Sequence, residues 1–212
     1  MSITHGGHLI VVEGIEGSGK STQATLLYEH LQENKIPSVL AREPGDTQTG
    51  ETIRNALLHG EKILGMTELF LFSAARCEII DKVIKPALGG GKIVVCDRFT
   101  ASTLAYQGYG RGISLEHVSY ITELSTQGLT PTLGFLLDIS PEISFQRIKE
   151  NTKDRIENED LNFHQLVRQG YLDTANSNPK LWTILDAEAP ASEIKTQIWD
   201  TVSIQLNINK SD

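Results

Sequence analysis

The chain has 212 residues, 39% of them hydrophobic, a formal charge of −8 and two cysteines. That length supports one large domain burying roughly 70% of the surface its unfolded chain exposes, and the acidic balance argues against a nucleic-acid polymer as partner, which would demand a basic footprint. No apolar run approaches the roughly 18 residues of a membrane span, and the start, MSITHGGHLIVV, has no basic n-region, so a cytoplasmic protein without a membrane partner is expected.

Residues 8–12 (HLIVV) are predicted to form a buried strand and 20–34 a helix, with Leu26, Leu27, His30 and Leu31 at helical spacing. Between them, Gly14-Ile15-Glu16-Gly17-Ser18-Gly19-Lys20-Ser21 matches G-x-x-x-x-G-K-[ST]. From average composition a chance match has a probability of roughly 4 × 10⁻⁵ per position, or about 1% for a chain this long. Its place between a strand and a helix makes chance weaker still. Consecutive backbone N–H groups converge there because side chains do not intervene, and they meet the positive end of the following helix. The loop, with Thr22 just beyond it, is therefore a candidate triphosphate site. Lys20 offers a flexible cation to the β- and γ-phosphates and the Ser21 hydroxyl suits Mg²⁺.

Residues 37–41 are predicted as a second strand, and 50–59 and 67–85 as helices, the latter ended by Pro86 and Gly89-Gly90-Gly91. Residues 92–97 (KIVVCD) form a third strand ending on Asp97, a second candidate for the Mg²⁺ side. Helices are expected at 114–127, 141–150, 161–176 and 192–206, strands at 132–139 and 181–186, and at 151–160 a polar segment that is mobile or forms a polar helical turn. Continuous apolar strands alternating with helices indicate a parallel sheet covered on both faces. The expected fold is α/β: one domain over 1–212, a three-layer P-loop NTPase with a five-stranded parallel sheet. Cys77 and Cys96 read as buried free thiols and Trp182 and Trp199 as core. The histidines show no metal-ligand spacing.

Arg42, Arg54, Arg76, Arg98 and Arg111 lie after strands or on nearby helices. One triphosphate does not need so many, so a second phosphorylated substrate is indicated. A regulatory GTPase is disfavoured, because Asn34-Lys35-Ile36-Pro37 lacks the aspartate of an N-K-x-D guanine reader. Phe72 and Arg76 are four apart on a predicted helix and share a face, where a ring and a guanidinium can stack on a base and donate to its carbonyl edge; a Phe in LFLF reads equally as core. Glu16 is electrostatically awkward beside a triphosphate. Three readings stay open from these residues: a nucleoside monophosphate kinase, a nucleoside kinase needing a carboxylate base for which Glu13 is poorly placed, and a non-catalytic ATP-dependent switch.

VEGIEGSGKST, REPG (42–45), LFLFSAAR (69–76), DRFTASTLAYQGYGRG (97–112) and DRIE (154–157) resemble, in order and spacing over roughly residues 8 to 190, the thymidylate kinase family in its bacterial form. The resemblance implies transfer of the γ-phosphoryl of ATP to dTMP, giving dTDP and ADP for dTTP synthesis, with Mg²⁺ as cofactor, in a homodimer formed through helices. It implies that Phe72 stacks on thymine, that Arg76 reaches its O4, that Glu16 accepts from the 3′-hydroxyl, and that Arg54 and Arg98 clamp the acceptor phosphate. Tyr106 would pack under the deoxyribose, with Pro44, Ser102, Thr103 and Gln107 lining the same pocket. Adenine would lie near Ala187. A mobile lid at about 147–160 would bring Arg155 to the phosphates, making Lys20, Arg98, Glu16 and Arg155 the catalytic set. The lid departs from the family pattern in being shorter and poorer in arginine, which leaves the roles of Lys149 and Lys153 open.

Overall fold

The structure, a computed structural model, describes residues 6–148 and 154–208. Its strands are β1 (His8–Glu13), β2 (Ser38–Arg42), β3 (Ile93–Asp97), β4 (Leu133–Asp138) and β5 (Trp182–Asp186). They form one parallel sheet in the order β2-β3-β1-β4-β5. β3 is buried along its whole length and β1 and β4 at all but one residue each, as expected of central strands covered on both faces. Alternation along the strands divides the core in two. Ile10, Val12, Val95 and Phe135 join Leu27, Leu31, Ile194 and Ile198, whereas Leu9, Val11, Val94 and Cys96 join Ile79, Ile80, Ile84 and Phe99. The register Leu9↔Val94 and Val11↔Cys96 keeps each set on its own face.

The helices are α1 (Lys20–Glu33), α2 (Gln48–His59), α3 (Gly65–Ile79), α4 (Lys85–Gly89), α5 (Thr100–Thr103), α6 (Leu115–Thr126), α7 (Pro141–Arg147), α8 (Leu161–Ser177) and α9 (Ala191–Gln205). Among the described residues, no helix is long and apolar enough to cross a membrane. Caps explain several boundaries. Thr47, Ser140 and Asp160 accept from the amides of Gly50, Ile143 and Phe163 and so start α2, α7 and α8.

Two expectations change and one unassigned segment takes a definite form. Pro86 does not end the helix predicted over 67–85: a π-helical turn, Ile80–Ile84, follows α3 and leads directly into α4. The wider turn resets the hydrogen-bond ladder, so Pro86 falls in the first turn of α4, where no intrahelical N–H is required. Second, residues 100–110 are helical, α5 running into a π-helical turn over Leu104–Gly110. Burial against α8 overrides the poor helix propensity of its glycines. Third, Cys77 is exposed; only Cys96 is a buried thiol, and both are free. Trp182 and Trp199 pack against the core half-buried.

β1 lies between β3 and β4, although the chain runs to β2 and β3 before it reaches β4. This reversal of winding opens a crevice at the carboxyl ends of β1 and β3.

Candidate active site

The glycine loop leaves β1 at that crevice. Gly14 (φ +149°) has no room for a side chain: a Cβ would sit 2.6 Å from the Leu137 carbonyl oxygen. A Cβ on Gly17 (φ +71°) would sit 2.9 Å from that of Ser144. Glycine is thus needed both for backbone conformation and for close approach. α7 clips the loop from outside. Ser144 Oγ donates to the Glu16 carbonyl (2.5 Å), and Arg147 donates to the carbonyls of Gly17 (3.3 Å) and Ala187 (2.9 Å). Gln23 N–H donates to the Gly19 carbonyl (3.0 Å) as α1 begins, so the amides of Lys20, Ser21 and Thr22 have no intrahelical acceptor.

Lys20 is buried, with Nζ 3.3 Å from the Ile15 carbonyl oxygen. Burial, and then the Arg98 guanidinium, push its ammonium below the ordinary lysine range, against the pull of Glu16, Asp97 and Glu13. Ser21 Oγ donates to Asp97 Oδ2 at 2.5 Å, while Asp97 Oδ1 is buried without a partner. A hydroxyl beside a carboxylate with a spare buried oxygen fits a hard divalent cation. No group of three or more His, Cys, Asp or Glu that could hold a metal occurs among the described residues, so such a cation would take its remaining ligands from nucleotide and water.

From the loop a cavity of about 480 Å³ extends over the ends of β2 and β3. Arg98 stands at its centre, on a strained backbone (φ +71°) that lifts the side chain off β3. Its guanidinium donates to Glu16 Oε1 (2.7 Å), Tyr171 Oη (2.9 Å) and Ser102 Oγ (3.2 Å), and lies over the Tyr106 ring. Tyr106 Oη also donates to Glu16, at 2.6 Å. Burial would raise the Glu16 carboxyl, but Arg98, Lys20 and Tyr106 outweigh it and hold it below the usual carboxylate range. Glu16 is therefore an anion at neutral pH, and the awkward loop carboxylate is balanced by the cation expected to bind acceptor phosphate.

At the far wall, Phe72 both lines the cavity and packs against the core. Arg76 is 2% exposed, with each guanidinium nitrogen committed: Nε to Glu43 (2.7 Å), one terminal nitrogen to Thr103 Oγ1 (2.8 Å) and the other to the Phe99 carbonyl (2.9 Å). Arg54 donates to the Pro44 carbonyl (2.9 Å). Pro44, Arg54, Ser102, Thr103, Tyr106 and Gln107 all border the cavity.

Not every expected residue lines this cavity. Arg155 does not line the cavity. Its Nε–H donates to the Leu57 carbonyl (2.8 Å) and its terminal NH₂ to Glu68 (2.6 Å). Ala187 is buried and presents its carbonyl to Arg147. Thr22 is exposed at the start of α1. Lys149 and Lys153 lie outside the described residues, as does part of the expected lid.

Sequence reasoning missed a set of buried carboxylates and their partners. Glu13, considered above only as a base, accepts from the Phe99 amide (2.7 Å), Ser102 Oγ (2.6 Å) and Tyr171 Oη (3.1 Å), and so fixes the segment after β3. Glu43 anchors Arg76. His164, 1% exposed, lies 3.7 Å from Glu16. The available signal was a carboxylate at the end of each of two apolar strands, VVE and the ARE that runs off β2; nothing local marked Tyr171 or His164.

Comparison with known proteins places these observations. The family model described as thymidylate kinase matches residues 12–198. The thymidylate kinase of a Synechococcus strain is 44% identical over 197 residues, covering 93% of this chain and 95% of that protein. That of Kosmotoga olearia is 46% identical over 191 residues, covering 89% and 92%. The crystal structure of thymidylate kinase from Ehrlichia chaffeensis superposes with a TM-score of 0.76 at 34% identity, covering 92% of this chain and 98% of that one.

Proposed function

The chain belongs to the thymidylate kinase family, and from that premise we propose how its residues carry out the family's reaction. The activity is ATP-dependent phosphorylation of dTMP to dTDP. The observation that carries the residue-level reading is one cavity bordered at one end by Lys20 and Ser21 and at the other by Phe72 and Arg76, with Arg98 between them.

ATP lays its triphosphate along Gly14–Thr22, where the amides at the start of α1 and Lys20 neutralise it. Its adenine lies toward Ala187, with Arg147 bracing that side. dTMP enters the other end, its base against Phe72 and Arg76 and its phosphate toward Arg54 and Arg98. The acceptor phosphate needs no strong base, because its second ionisation lies near pH 6. Catalysis is then alignment and charge neutralisation. Glu16 releases Arg98 in part to the acceptor phosphate and turns its carboxylate to the 3′-hydroxyl. Ser21 and Asp97 would hold Mg²⁺, which when bound neutralises charge between the β- and γ-phosphates. Asp154, Ile156 and Glu157, which border the cavity, help to keep water out. A second copy of the chain pairs through α3 and α6, where Phe70, Tyr120 and Leu124 stand exposed.

The test is ADP release from Mg-ATP with dTMP, dUMP, thymidine or AMP offered separately. Strong stimulation by dTMP, weaker by dUMP and almost none by the others is expected. Stimulation by thymidine but not dTMP would overturn the acceptor assignment, and slow turnover indifferent to all four would favour a switch.

A further inference from the structure

Behind the acceptor wall lies a carboxylate to which the transfer described above gives no role. Glu68 on α3 is fully buried. Its Oε1 accepts from Gln107 Nε2 (2.7 Å) and Arg111 Nε (3.2 Å), and its Oε2 from the terminal nitrogens of Arg155 (2.6 Å) and Arg111 (3.1 Å). Both oxygens are saturated, and two guanidinium groups compensate one buried charge. Arg155 is anchored twice more, by its backbone N–H to the Leu58 carbonyl (3.0 Å) and by Nε–H to the Leu57 carbonyl (2.8 Å). Its chain neighbours Asp154, Ile156 and Glu157 line the cavity; Arg155 does not. The far end of the same stretch is held by Arg111, which pairs with Glu159 (2.6 Å) and lies 4.5 Å from the centre of the Phe163 ring. Residues 154–159 are thus a strip of cavity wall fastened from behind, and the fastening shares its carboxylate with Gln107, which borders the acceptor pocket.

We propose that Glu68 is a positioning residue for the transfer. It fixes the 154–159 wall against the acceptor pocket through Arg155, and Arg155 acts through this tether rather than on the transferring phosphoryl group. The proposal rests on the reading of the cavity as the place where ATP meets dTMP. A wall displaced by an ångström misaligns the acceptor and admits water, which costs rate without weakening the grip of the loop on ATP.

The experiment compares the full-length chain with Glu68→Gln, Arg155→Met and the double variant, in steady-state kinetics and in amide hydrogen exchange without nucleotide. Each single variant is expected to lower kcat/KM for dTMP by about tenfold with the KM for ATP within about twofold, and the double variant to resemble either single rather than their product. The amides of 154–159 are expected to exchange about tenfold faster in all three variants, because the Arg155 anchor to Leu58 is loosened. Arg155→Met costing as much in the Glu68→Gln background as in the wild type would overturn the proposal, as would unchanged exchange. If Glu68→Gln does not fold, Arg155→Met decides alone: faster exchange with the KM for ATP retained supports the tether, and unchanged exchange with a large loss of kcat assigns Arg155 to the phosphates. Absence of dTMP-dependent ADP release from the wild type would remove the kinase reading, while exchange would still decide the tether.

Discussion

Glu43 shows how a single side chain can be chemically decisive yet silent in sequence. The REPG motif names it, but nothing local says that it will be 4% exposed, that its Oε2 will hold Arg76 or that its Oε1 will have no partner. Burial, opposed only in part by Arg76, pushes its carboxyl up to about 7. The folded protein therefore keeps this proton to higher pH than the unfolded chain does. Unfolding releases it between about 4.5 and 7, and the native state loses stability as pH rises through that window. Relative to Glu43→Gln, the wild type is expected to lose about 3 kcal/mol between roughly pH 4.5 and pH 8. Urea midpoints of the two proteins at both pH values measure it; a constant difference would mean that Glu43 is ionised throughout. Arg98 is the opposite case, legible in sequence from its place after β3. What sequence hid is its resting state, paired with Glu16 and ringed by Ser102, Tyr106 and Tyr171. Arg98→Ala is expected to lower kcat/KM for dTMP by about 10³-fold while calorimetry finds ATP binding retained. Loss of ATP binding would make Arg98 a structural support of the loop.

Elements set by local signals were legible, and elements set by neighbours were not. β1, the glycine loop and α1 could be placed because an apolar run, glycines and helical spacing follow one another within residues 8–33. The stretch 100–110 could not, because its helix depends on α8, seventy residues later in the chain. The contact is so close that a Cβ on Gly170 would meet the Tyr109 ring at 2.8 Å and the Ala105 Cα at 3.0 Å. Backbone on one side leaves little room to yield. Gly170→Ala is accordingly expected to cost about 1–3 kcal/mol in urea unfolding. It should also raise the KM for dTMP more than that for ATP, because Ser102, Thr103, Tyr106 and Gln107 ride on the displaced segment. Full stability in this variant would show that α8 does not position that helix. The same logic explains Arg155: DRIE marks the residue, but only the packing of α2 and α3 shows that its guanidinium turns toward Glu68.

For the whole molecule, charge and surface point to two different kinds of association. A net charge of −8 repels a polyanionic polymer, whereas small phosphates are drawn to a few cations gathered in one crevice. Part of the apolar surface lies elsewhere, on α3 and α6, where Phe70, Tyr120 and Leu124 are each more than half exposed. Their spacing in sequence suggested helix faces but could not show that both faces remain open after folding. Sedimentation is expected to give about twice the 23.4 kDa chain mass, and Phe70→Glu with Leu124→Glu to give monomers. A monomeric wild type would leave that patch without its assigned partner.

All scales converge on the placement of two nucleotides end to end, their phosphates meeting at Arg98. A structure of the protein with dTMP and a non-hydrolysable ATP analogue examines that placement directly. The pyrimidine is expected beside Phe72 and Arg76, the acceptor phosphate near Arg54 and Arg98, and the triphosphate on the amides of Gly14–Thr22. A pyrimidine seated near Ala187, or an acceptor phosphate out of reach of Arg98, would contradict the account.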